Sequence, residues 1–462
     1  MMRGSRTIRK VLAGVVAAAS LVTVGASGTG VQVVHAAGLG AGGEYHPLTP
    51  TRIFDTRAPG INSAVGAIPM NAAGPTVDVA VLGQGGVPAN AADVLGVVVS
   101  ITVTGPTQIG FLQAYPSGSL PGISSVVNFN TGQTVPNLAV ATLGANGKLT
   151  IKLVTGAAGT ANVFVDVFGW ISTTTAAAPG ARLIPVGPGR IFDTREASFN
   201  GTGLPVPAGG VIQVPIRGAD AQTPSVTDIV PNDPNVVGVV LNVTGVNNLA
   251  SSKNTFVSVL PETPVGNPAT SNLNLVPGQI KANLVIVPVT NGDGAIRLFN
   301  FLGDTHLVVD VVGYMMANQN PNTRLGRVIP LGTPFRAFDT RLPEFGNVQL
   351  GPGQAESWSF SSFATSVKLG GQPVGNQGAL LGNLTATGLT RVFPTVPVST
   401  FLTVYPSNVA RPNSSNVNLP ENAAAVPNMA VMKLSPTDEV KVFNSSGYVH
   451  YLFDVSAVVL ED

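Results

Sequence analysis

The sequence contains no cysteine, so it can form neither disulfide bonds nor thiolate metal sites. Charged residues are also scarce: they make up 10% of the 462 residues, where an average globular protein has about 25%. A disordered chain combines low hydrophobicity with a high net charge, whereas this chain is 44% hydrophobic with a formal charge of +1. The composition therefore indicates a folded protein that is stabilised by burial alone.

The common catalytic motifs are missing as well. We find no H-E-x-x-H, no G-x-S-x-G, no lysine followed by Ser or Thr as in a P-loop, and no EF-hand spacing. The stretch Gly38–Gly43 formally matches G-x-G-x-x-G, but it follows no predicted strand and leads into no helix. The sequence therefore predicts a protein that is not an enzyme and that has no cofactor and no metal site.

The N-terminus has the pattern of a secretory signal peptide. A basic region, Arg3–Lys10, precedes the apolar run Val11–Val24, and small residues lead to an A-x-A-like end at Val34–Ala36. The apolar run is too short to cross a bilayer comfortably, which favours cleavage over a membrane anchor. Removal of residues 1–36 would leave 20 Lys and Arg against 23 Asp and Glu, a net charge of −3.

Export and a nearly neutral surface limit the partners that we expect. A slightly acidic chain offers no electrostatic footprint for nucleic acid. No second apolar run of about 20 residues follows, so we expect no membrane span after cleavage. The predicted location is secreted and extracellular, with possible association to the cell surface, and the candidate partners are cell-wall polymers, glycans or other surface proteins.

A six-residue motif occurs three times and divides the rest of the chain. It reads R-I-F-D-T-R twice and R-A-F-D-T-R once, at 52–57, 190–195 and 336–341. Each copy opens a unit of about domain size. Linkers of small or polar residues lie at 173–180 and 317–323. The sequence therefore predicts three domains, at 45–171, 182–315 and 327–462.

Each unit repeats the same short strands in the same order. In the first unit, Ser100–Gly105 alternates in polarity, Phe111–Pro116 ends on a proline, and Val163–Trp170 closes the unit. Gly and Pro turn signals separate the strands, and helical periodicity is absent. The predicted fold class is all-β, with three tandem β-sandwich or jelly-roll-like modules after the signal peptide. We expect the three modules to be strung like beads.

Three motifs in fixed order resemble a known family. P-x-R-I-F-D-T-R, then S-N-L-N-L-x-P-G-Q, then V-D-V-V-G-Y are similar to a tandem repeat module of actinobacterial secreted and cell-surface proteins. The resemblance covers nearly all of the mature chain, and it implies an exported protein whose modules have no catalytic role. The third copy departs from the pattern at Ala337, at Glu421-Asn422 and at Ser456-Ala457.

The repeated ions are candidates either for a functional site or for internal anchors. Asp55 and Arg57 point to the same face of a strand, and Asp166 lies between apolar neighbours on the closing strand. Because buried charges must be paired, we favour a structural role. The predicted structural residues are Arg52, Asp55, Arg57, Asp166, Arg190, Asp193, Arg195, Asp310, Arg336, Asp339, Arg341 and Asp454.

We expect each closing aspartate to pair with an arginine of its own motif, within about 4 Å. The expected pairs are Asp166 with Arg52 or Arg57, Asp310 with Arg190 or Arg195, and Asp454 with Arg336 or Arg341.

Two further sets of polar residues recur. The paired asparagines are Asn128 and Asn137, Asn274 and Asn283, and Asn418 and Asn428. We favour buried asparagines that satisfy backbone groups, although a sugar-binding role stays open. His306 and His450 each precede the closing aspartate by four residues, but Asn162 stands there in the first unit. Because catalysis by imidazole would not survive that replacement, we interpret this position as a polar structural slot.

The residues favour a non-enzymatic structural or adhesive protein. One alternative is a carbohydrate- or cell-wall-binding protein, with Tyr115 and Tyr405 as possible ligand-stacking residues. Those rings would then be exposed in a groove. A third alternative is an extracellular hydrolase, which would need a cleft with convergent carboxylates in one module and not in the others.

Overall fold

A computed structural model shows an all-β protein. It describes residues 6–7 and 42–461, apart from 59, 62–65, 72–75, 174–175, 177–178, 291, 318, 321–322, 362–367, 370–371, 374–375, 393–397 and 422. The predicted signal peptide lies outside the described residues except for Arg6–Thr7, which form β1. In the part of the chain that is described, the only helices are three short 3-10 turns, Ala91–Asp93, Ala197–Phe199 and Pro343–Phe345.

The remaining strands fall into the three sequence units, which we call the first, second and third repeats. The strands of the first repeat are β2 Tyr45–Asp55, β3 Ile68–Met70, β4 Thr76–Ala80, β5 Val94–Thr104, β6 Gly110–Pro116, β7 Val127–Phe129, β8 Thr134–Ala141, β9 Lys148–Val154 and β10 Gly159–Ser172. Those of the second are β11 Arg182–Asp193, β12 Val211–Pro215, β13 Ala219–Gln222, β14 Ser225–Val230, β15 Val236–Asn247, β16 Thr255–Leu260, β17 Leu273–Leu275, β18 Gln279–Pro288, β19 Ala295–Asn300 and β20 His306–Met316.

The third repeat follows the same plan. Its strands are β21 Val328–Asp339, β22 Ala355–Ser359, β23 Lys368–Leu369, β24 Gln372–Pro373, β25 Gln377–Thr390, β26 Thr400–Pro406, β27 Val417–Leu419, β28 Ala425–Lys433, β29 Glu439–Asn444 and β30 Tyr448–Leu460. The extra hairpins β13–β14 and β23–β24 are inserted between the second and third main strands of their repeats, and β3 pairs with β10.

Each repeat contributes eight main strands to two antiparallel sheets. In the first repeat, one sheet has the order β2-β10-β5-β8 and the other has the order β4-β9-β6-β7. If the eight main strands are numbered along the chain, the first sheet contains strands one, eight, three and six in that order. The second sheet contains strands two, seven, four and five. The second and third repeats have the same two orders, with β1 added in parallel beside β22. This is the strand order of a jelly roll.

Each pair of sheets encloses its own hydrophobic core. In the first repeat, Val99 and Val165 from one sheet meet Leu112 and Ile151 from the other, and all four side chains are buried. Equivalent cores lie in the second and third repeats. The two sheets therefore form a β-sandwich, as the period-two pattern predicts.

The expectation that the repeats are strung like beads is wrong, because the three repeats pack against one another. A fourth hydrophobic core joins the sheets that contain the first, eighth, third and sixth strands, and we call these the inner sheets. Val98 and Leu138 of the first repeat, Val240 and Leu284 of the second, and Leu381, Met429 and Val431 of the third are members of this core. The inner sheets are therefore apolar on both faces, and their outward faces meet at the centre of the molecule.

The contacts at the centre are cyclic. β8 contacts β17 and β18 of the second repeat, β18 contacts β27 and β28 of the third, and β28 contacts β7 and β8 of the first. The segments before the first strands also meet: Gly43 bridges to Val328, and Tyr45 bridges to Ala181. The three repeats thus close into one ring with approximate three-fold arrangement. We call the remaining sheets, which lie away from the centre, the outer sheets.

Candidate functional site

The repeated motif builds a chain of alternating charges on the inner sheet of the first repeat. Arg52 donates from Nε and Nη2 to the two carboxylate oxygens of Asp166, at 2.9 and 3.1 Å, and from Nη1 to Asp55 Oδ2 at 3.1 Å. Asp55 also accepts two side-chain hydrogen bonds from Arg57, at 2.9 and 2.8 Å, and one from its backbone N–H at 2.9 Å. Each carboxylate therefore has a bidentate arginine partner.

The geometry follows from the register of the strands. Arg52 on β2 lies opposite Asp166 on β10. Asp55 is the last residue of β2, and the turn after it brings the backbone N–H of Arg57 back to the Asp55 carboxylate. The hexapeptide thus supplies one arginine on the strand and one in the turn, with the aspartate between them.

The same chain of charges occurs in the other two repeats. Arg190 Nε lies 2.9 Å from Asp310, and Arg195 Nη2 lies 2.6 Å from Asp193. The corresponding distances in the third repeat are 2.9 Å for Arg336 to Asp454 and 2.6 Å for Arg341 to Asp339. The ion pairs expected for the closing aspartates are therefore present. In each repeat the first arginine of the motif makes the pair, and the second arginine binds the motif aspartate.

Burial separates the two kinds of carboxylate. Burial raises the pKa of Asp166, Asp310 and Asp454 above the ordinary value, because their arginines offset only part of the lost hydration. Burial acts in the same direction on Asp55, but hydrogen bonds from Arg57 outweigh it and lower the Asp55 pKa. The motif aspartate is thus held firmly in its ionised form.

Two of these networks border a neighbouring repeat. The backbone N–H of Ser415 in the third repeat donates to Asp310 in the second. At the junction of the third and first repeats, Asp454, Ser125 and Tyr115 line a cavity of about 40 Å³. That volume accommodates no more than a few water molecules. Each network therefore ties the first strand of its own jelly roll to the last strand, and the cavity beside Asp454 is too small for an organic ligand.

Asparagines form a second set of links at the same junctions. Asn137 donates to Asn383 Oδ1 at 3.0 Å and accepts from the backbone N–H of Met429 at 3.0 Å. Asn428 likewise donates to Asn242 Oδ1 at 3.0 Å and accepts from the N–H of Leu284 at 3.0 Å. These hydrogen bonds satisfy buried amides across two of the junctions.

The expected burial of the paired asparagines is correct for one member of each pair. Asn137, Asn283 and Asn428 are buried. Asn128, Asn274 and Asn418 are only half-buried, and each contacts the serine three residues before it. For these three the expectation of burial is wrong, because they lie on the short fifth strand at the edge of an outer sheet.

Sequence reasoning missed the partners of the buried asparagines. Asn242 and Asn383 lie directly opposite the closing aspartates Asp310 and Asp454 on the third strand. The first repeat has Ser100 at the equivalent position. The recurrence of asparagine at one strand position was a signal in the sequence, but only the packing of the repeats gives it a partner.

The interpretation of His306 and His450 as a polar structural slot is confirmed. Thr194 Oγ1 lies 2.9 Å from His306 Nδ1, and Thr340 Oγ1 lies 3.1 Å from His450 Nδ1. In the first repeat Thr56 donates to Asn162 Oδ1 at 2.9 Å. The threonine of each hexapeptide therefore binds whichever polar side chain stands at this position.

Tyr115 and Tyr405 are not placed for stacking on a ligand. Their exposed fractions are 6% and 5%, so both rings are buried. The exposed rings that the carbohydrate-binding alternative required are not found, because each tyrosine lies on the fourth strand close to a neighbouring repeat. The carbohydrate-binding alternative therefore loses the residues on which it depended.

The hydrolase alternative also lacks its expected geometry. The described carboxylates of the motif occur in all three repeats alike, each with an arginine partner, and they do not converge in a cleft of one repeat. Across the described ranges, no group of three or more His, Cys, Asp or Glu side chains could hold a metal ion. None of the helices in the described residues could cross a membrane.

Fold and site together define the chain as an all-β protein of jelly-roll sandwiches with buried, repeated ion networks. No protein family model matches it, and no curated protein matches it. Solved structures that are similar include one of Sulfolobus turreted icosahedral virus, at 12% identity over 91% of both chains with a TM-score of 0.16. A second is described as the triple jelly roll fold and turret assembly in an archaeal virus, at 11% identity over 90% of both chains with a TM-score of 0.16.

A third similar structure is the N-terminal CBM22-1-CBM22-2 tandem domain of Paenibacillus barcinonensis Xyn10C. It is 15% identical, covers 48% of this chain and 79% of that chain, and has a TM-score of 0.15. At these TM-scores the three likenesses carry no argument about function. The resemblance to an actinobacterial surface module stays a prediction from the motifs.

Proposed function

We propose that the protein is an exported, non-enzymatic structural or adhesive protein, built from three tandem modules that act as one rigid body outside the cell. The observation that supports this is the use of the repeated ions. In all three copies of the hexapeptide the arginines and aspartates pair with one another, and the pairs tie the first strand of each module to its last strand.

The packing of the modules supports a load-bearing or scaffolding role. Each inner sheet is buried on both faces, so the modules cannot move apart without exposing the central core, which includes Val240, Leu284 and Val431. The turns at both ends of each jelly roll stay at the surface, and several carry exposed apolar side chains, such as Leu120 and Val265. A rigid body with many surface loops is suited to binding other macromolecules at several points.

The proposed location and partners rest on the sequence. Residues 1–36 would direct export, and the mature chain would act extracellularly or at the cell surface. Its partners would be cell-wall polymers, glycans or other surface proteins, with no nucleic acid and no membrane span. The near-neutral charge of the mature chain favours contacts that depend on shape and hydrogen bonds more than on electrostatic attraction.

Two measurements test this function. The full chain and a chain lacking residues 1–36 are expressed in a bacterial host, and the culture medium and cell surface are assayed for each. The full chain is expected outside the cell and the truncated chain inside it.

The purified chain is then mixed with insoluble cell-wall material. We expect it to sediment with the wall and to release no soluble sugars or peptides. Release of such products would contradict a non-enzymatic role. A chain that remains wholly in the supernatant with wall material and with intact cells would contradict an adhesive one.

A further inference from the structure

A pair of residues that the ion networks do not use recurs on the outer sheets. In the first repeat Phe111 on β6 lies directly opposite Asn128 on β7. The second and third repeats have Phe256 opposite Asn274, and Phe401 opposite Asn418. Residues opposite each other in an antiparallel pair share one face of the sheet, so each repeat presents an aromatic ring beside a carboxamide.

In the first repeat this pair lines an open groove of about 410 Å³ at the junction with the third repeat. One wall comes from Phe111, Asn128 and Asn130, and the rim includes Ile109, whose exposed fraction is 52%. Across the junction, Ala424 and Ala425 of the third repeat form the opposite wall. The volume is within the range of small-molecule sites.

In the second repeat another aromatic ring of the same chain stacks on the phenylalanine at this position. There Phe301 stacks on Phe256, with ring centroids 4.6 Å apart and an angle of 17° between the ring planes. Phe301 donates its backbone N–H to Phe256 O, so it is the cross-strand neighbour of that ring. The equivalent neighbour of Phe111 is Val154, a much smaller side chain. The Phe301 ring thus covers the face of Phe256 in the second repeat, whereas the equivalent face of Phe111 in the first repeat is open.

The opposite wall explains why the groove is open at this junction. The start of the sixth strand of the third repeat supplies Ala424 and Ala425 to the groove. At the junction between the second and third repeats, the corresponding strand start has the larger residues Gln279 and Ile280. The small alanines leave space above Phe111 and Asn128.

The chemistry of the groove selects one class of ligand. Its lining contains no charged side chain. Asn128 accepts one hydrogen bond from Ser125 Oγ, at 2.7 Å, and among the described residues its amide nitrogen has no partner. An aromatic ring beside carboxamides that can donate and accept matches a pyranose ring, which has an apolar face and hydroxyls at its rim.

We propose that this groove binds a sugar unit of a neutral polysaccharide, which stacks on Phe111 and hydrogen-bonds to Asn128 and Asn130. The proposal rests on the adhesive function argued above, because it names the ligand class and the groove for one of the expected partners; sedimentation with wall material tests that function separately from this groove. It places sugar binding on the outer face of an outer sheet, away from Tyr115 and Tyr405.

The test is affinity electrophoresis of the full chain in native gels that contain a soluble polysaccharide. The neutral probes are mixed-linkage β-glucan, arabinoxylan, galactomannan and dextran, and alginate is the anionic probe. At least one neutral probe is expected to retard the protein, and alginate is not. Val154→Phe reproduces the covering seen in the second repeat, and it is expected to weaken retardation at least tenfold.

A second variant blocks the groove by another route. Gly156 lies in the lining, and a Cβ added there meets no atom within 4 Å, so Gly156→Trp can fill the groove without a clash at the backbone. Gly292 of the second repeat has equally open surroundings, and Gly292→Trp is the matched control. We expect Gly156→Trp to lose retardation and Gly292→Trp to keep it, with circular dichroism checking that all variants are folded.

Three results would overturn the proposal. They are the absence of retardation by every neutral probe, retardation by alginate alone, and retardation that survives both Val154→Phe and Gly156→Trp in folded protein.

Discussion

The inner and outer sheets of each repeat have the same number of strands but opposite surroundings. Strand β15 of an inner sheet is buried along nearly its whole length, whereas β12 of an outer sheet alternates between buried and exposed residues. The inner sheets also carry the ion networks and the linking asparagines. The outer sheets carry the Phe–Asn pairs, whose side chains are only half-buried. The repeated polar residues of the inner sheets therefore link strands within each repeat and, through the asparagines, link the repeats to one another.

The largest expected difference comes from a charge placed on each kind of sheet. Val240 lies in the central core with 0% exposure, and Val211 on β12 is 38% exposed. Val240→Asp would bury an unpaired carboxylate, so we expect the variant to be insoluble or unfolded. Val211→Asp should fold normally. Soluble yield and circular dichroism measure both, and equal behaviour of the two variants would remove the distinction between the sheets.

The next comparison removes one arginine from each kind of sheet. Arg190 has an exposed side-chain fraction of 8%, and its loss would leave Asp310 and Asp193 short of a partner. We expect Arg190→Met to lower the free energy of unfolding by about 3–5 kcal/mol.

Arg297 on outer strand β19 is the matched control, since its partner Asp293 is 37% exposed. Arg297→Met is expected to change stability little. Denaturant unfolding measures both variants, and a similar loss for Arg297→Met would contradict the account.

A third comparison uses two asparagines. Asn428→Ala would remove the hydrogen-bond partner of Asn242 Oδ1 and of the Leu284 N–H across the junction, at a cost of about 1–3 kcal/mol. Asn274→Ala removes a half-buried asparagine from an outer sheet and should cost less. Chemical denaturation measures the free energy of unfolding of the two variants. An equal loss in both would contradict a special contribution of the junction hydrogen bonds to stability.

The smallest expected effect is a dependence of stability on pH that comes from Lys281 in an inner sheet. Burial lowers the pKa of Lys281 on β18 to about 8, against about 10.4 in an unfolded chain. Between these values the unfolded state binds more protons, so stability should rise as pH increases from about 8 to about 10.4.

Val135 and Val426 stand at the equivalent position in the other repeats. Lys281→Val should therefore be more stable than the parent at pH 7 and lose that advantage by about pH 10.4. Thermal unfolding across this pH range tests the prediction, and an advantage that did not change with pH would contradict it.

The sequence predicts the elements of this fold better than their assembly. The succession of strands along the chain follows from the repeated motifs. The pairing of Asp166 follows because an apolar strand cannot hold an unpaired carboxylate. The central core could not be predicted from period-two alternation alone. Its signal is the uninterrupted runs Val97–Val99 and Leu284–Val287, which are typical of strands buried on both faces. Such runs predict that both faces of the inner sheet are buried, but they do not show that the other two repeats cover its outward face.

The site shows the same limit. Ser100, Asn242 and Asn383 are recognisable from the sequence as one strand position. The residue that Asn242 contacts is Ser415 in the next repeat, which lies 173 residues further along the chain. The local sequence pattern of one repeat contains no information about which residues of a neighbouring repeat pack against it. For the same reason Tyr115, which looks like a surface aromatic by sequence, is buried at a junction.

Differential scanning calorimetry of the whole chain tests the central claim most directly, namely that the three jelly rolls form one cooperative body around a shared core. We predict a single unfolding transition whose calorimetric and van't Hoff enthalpies agree. Two or three separable transitions, each with the enthalpy of a single repeat, would contradict it.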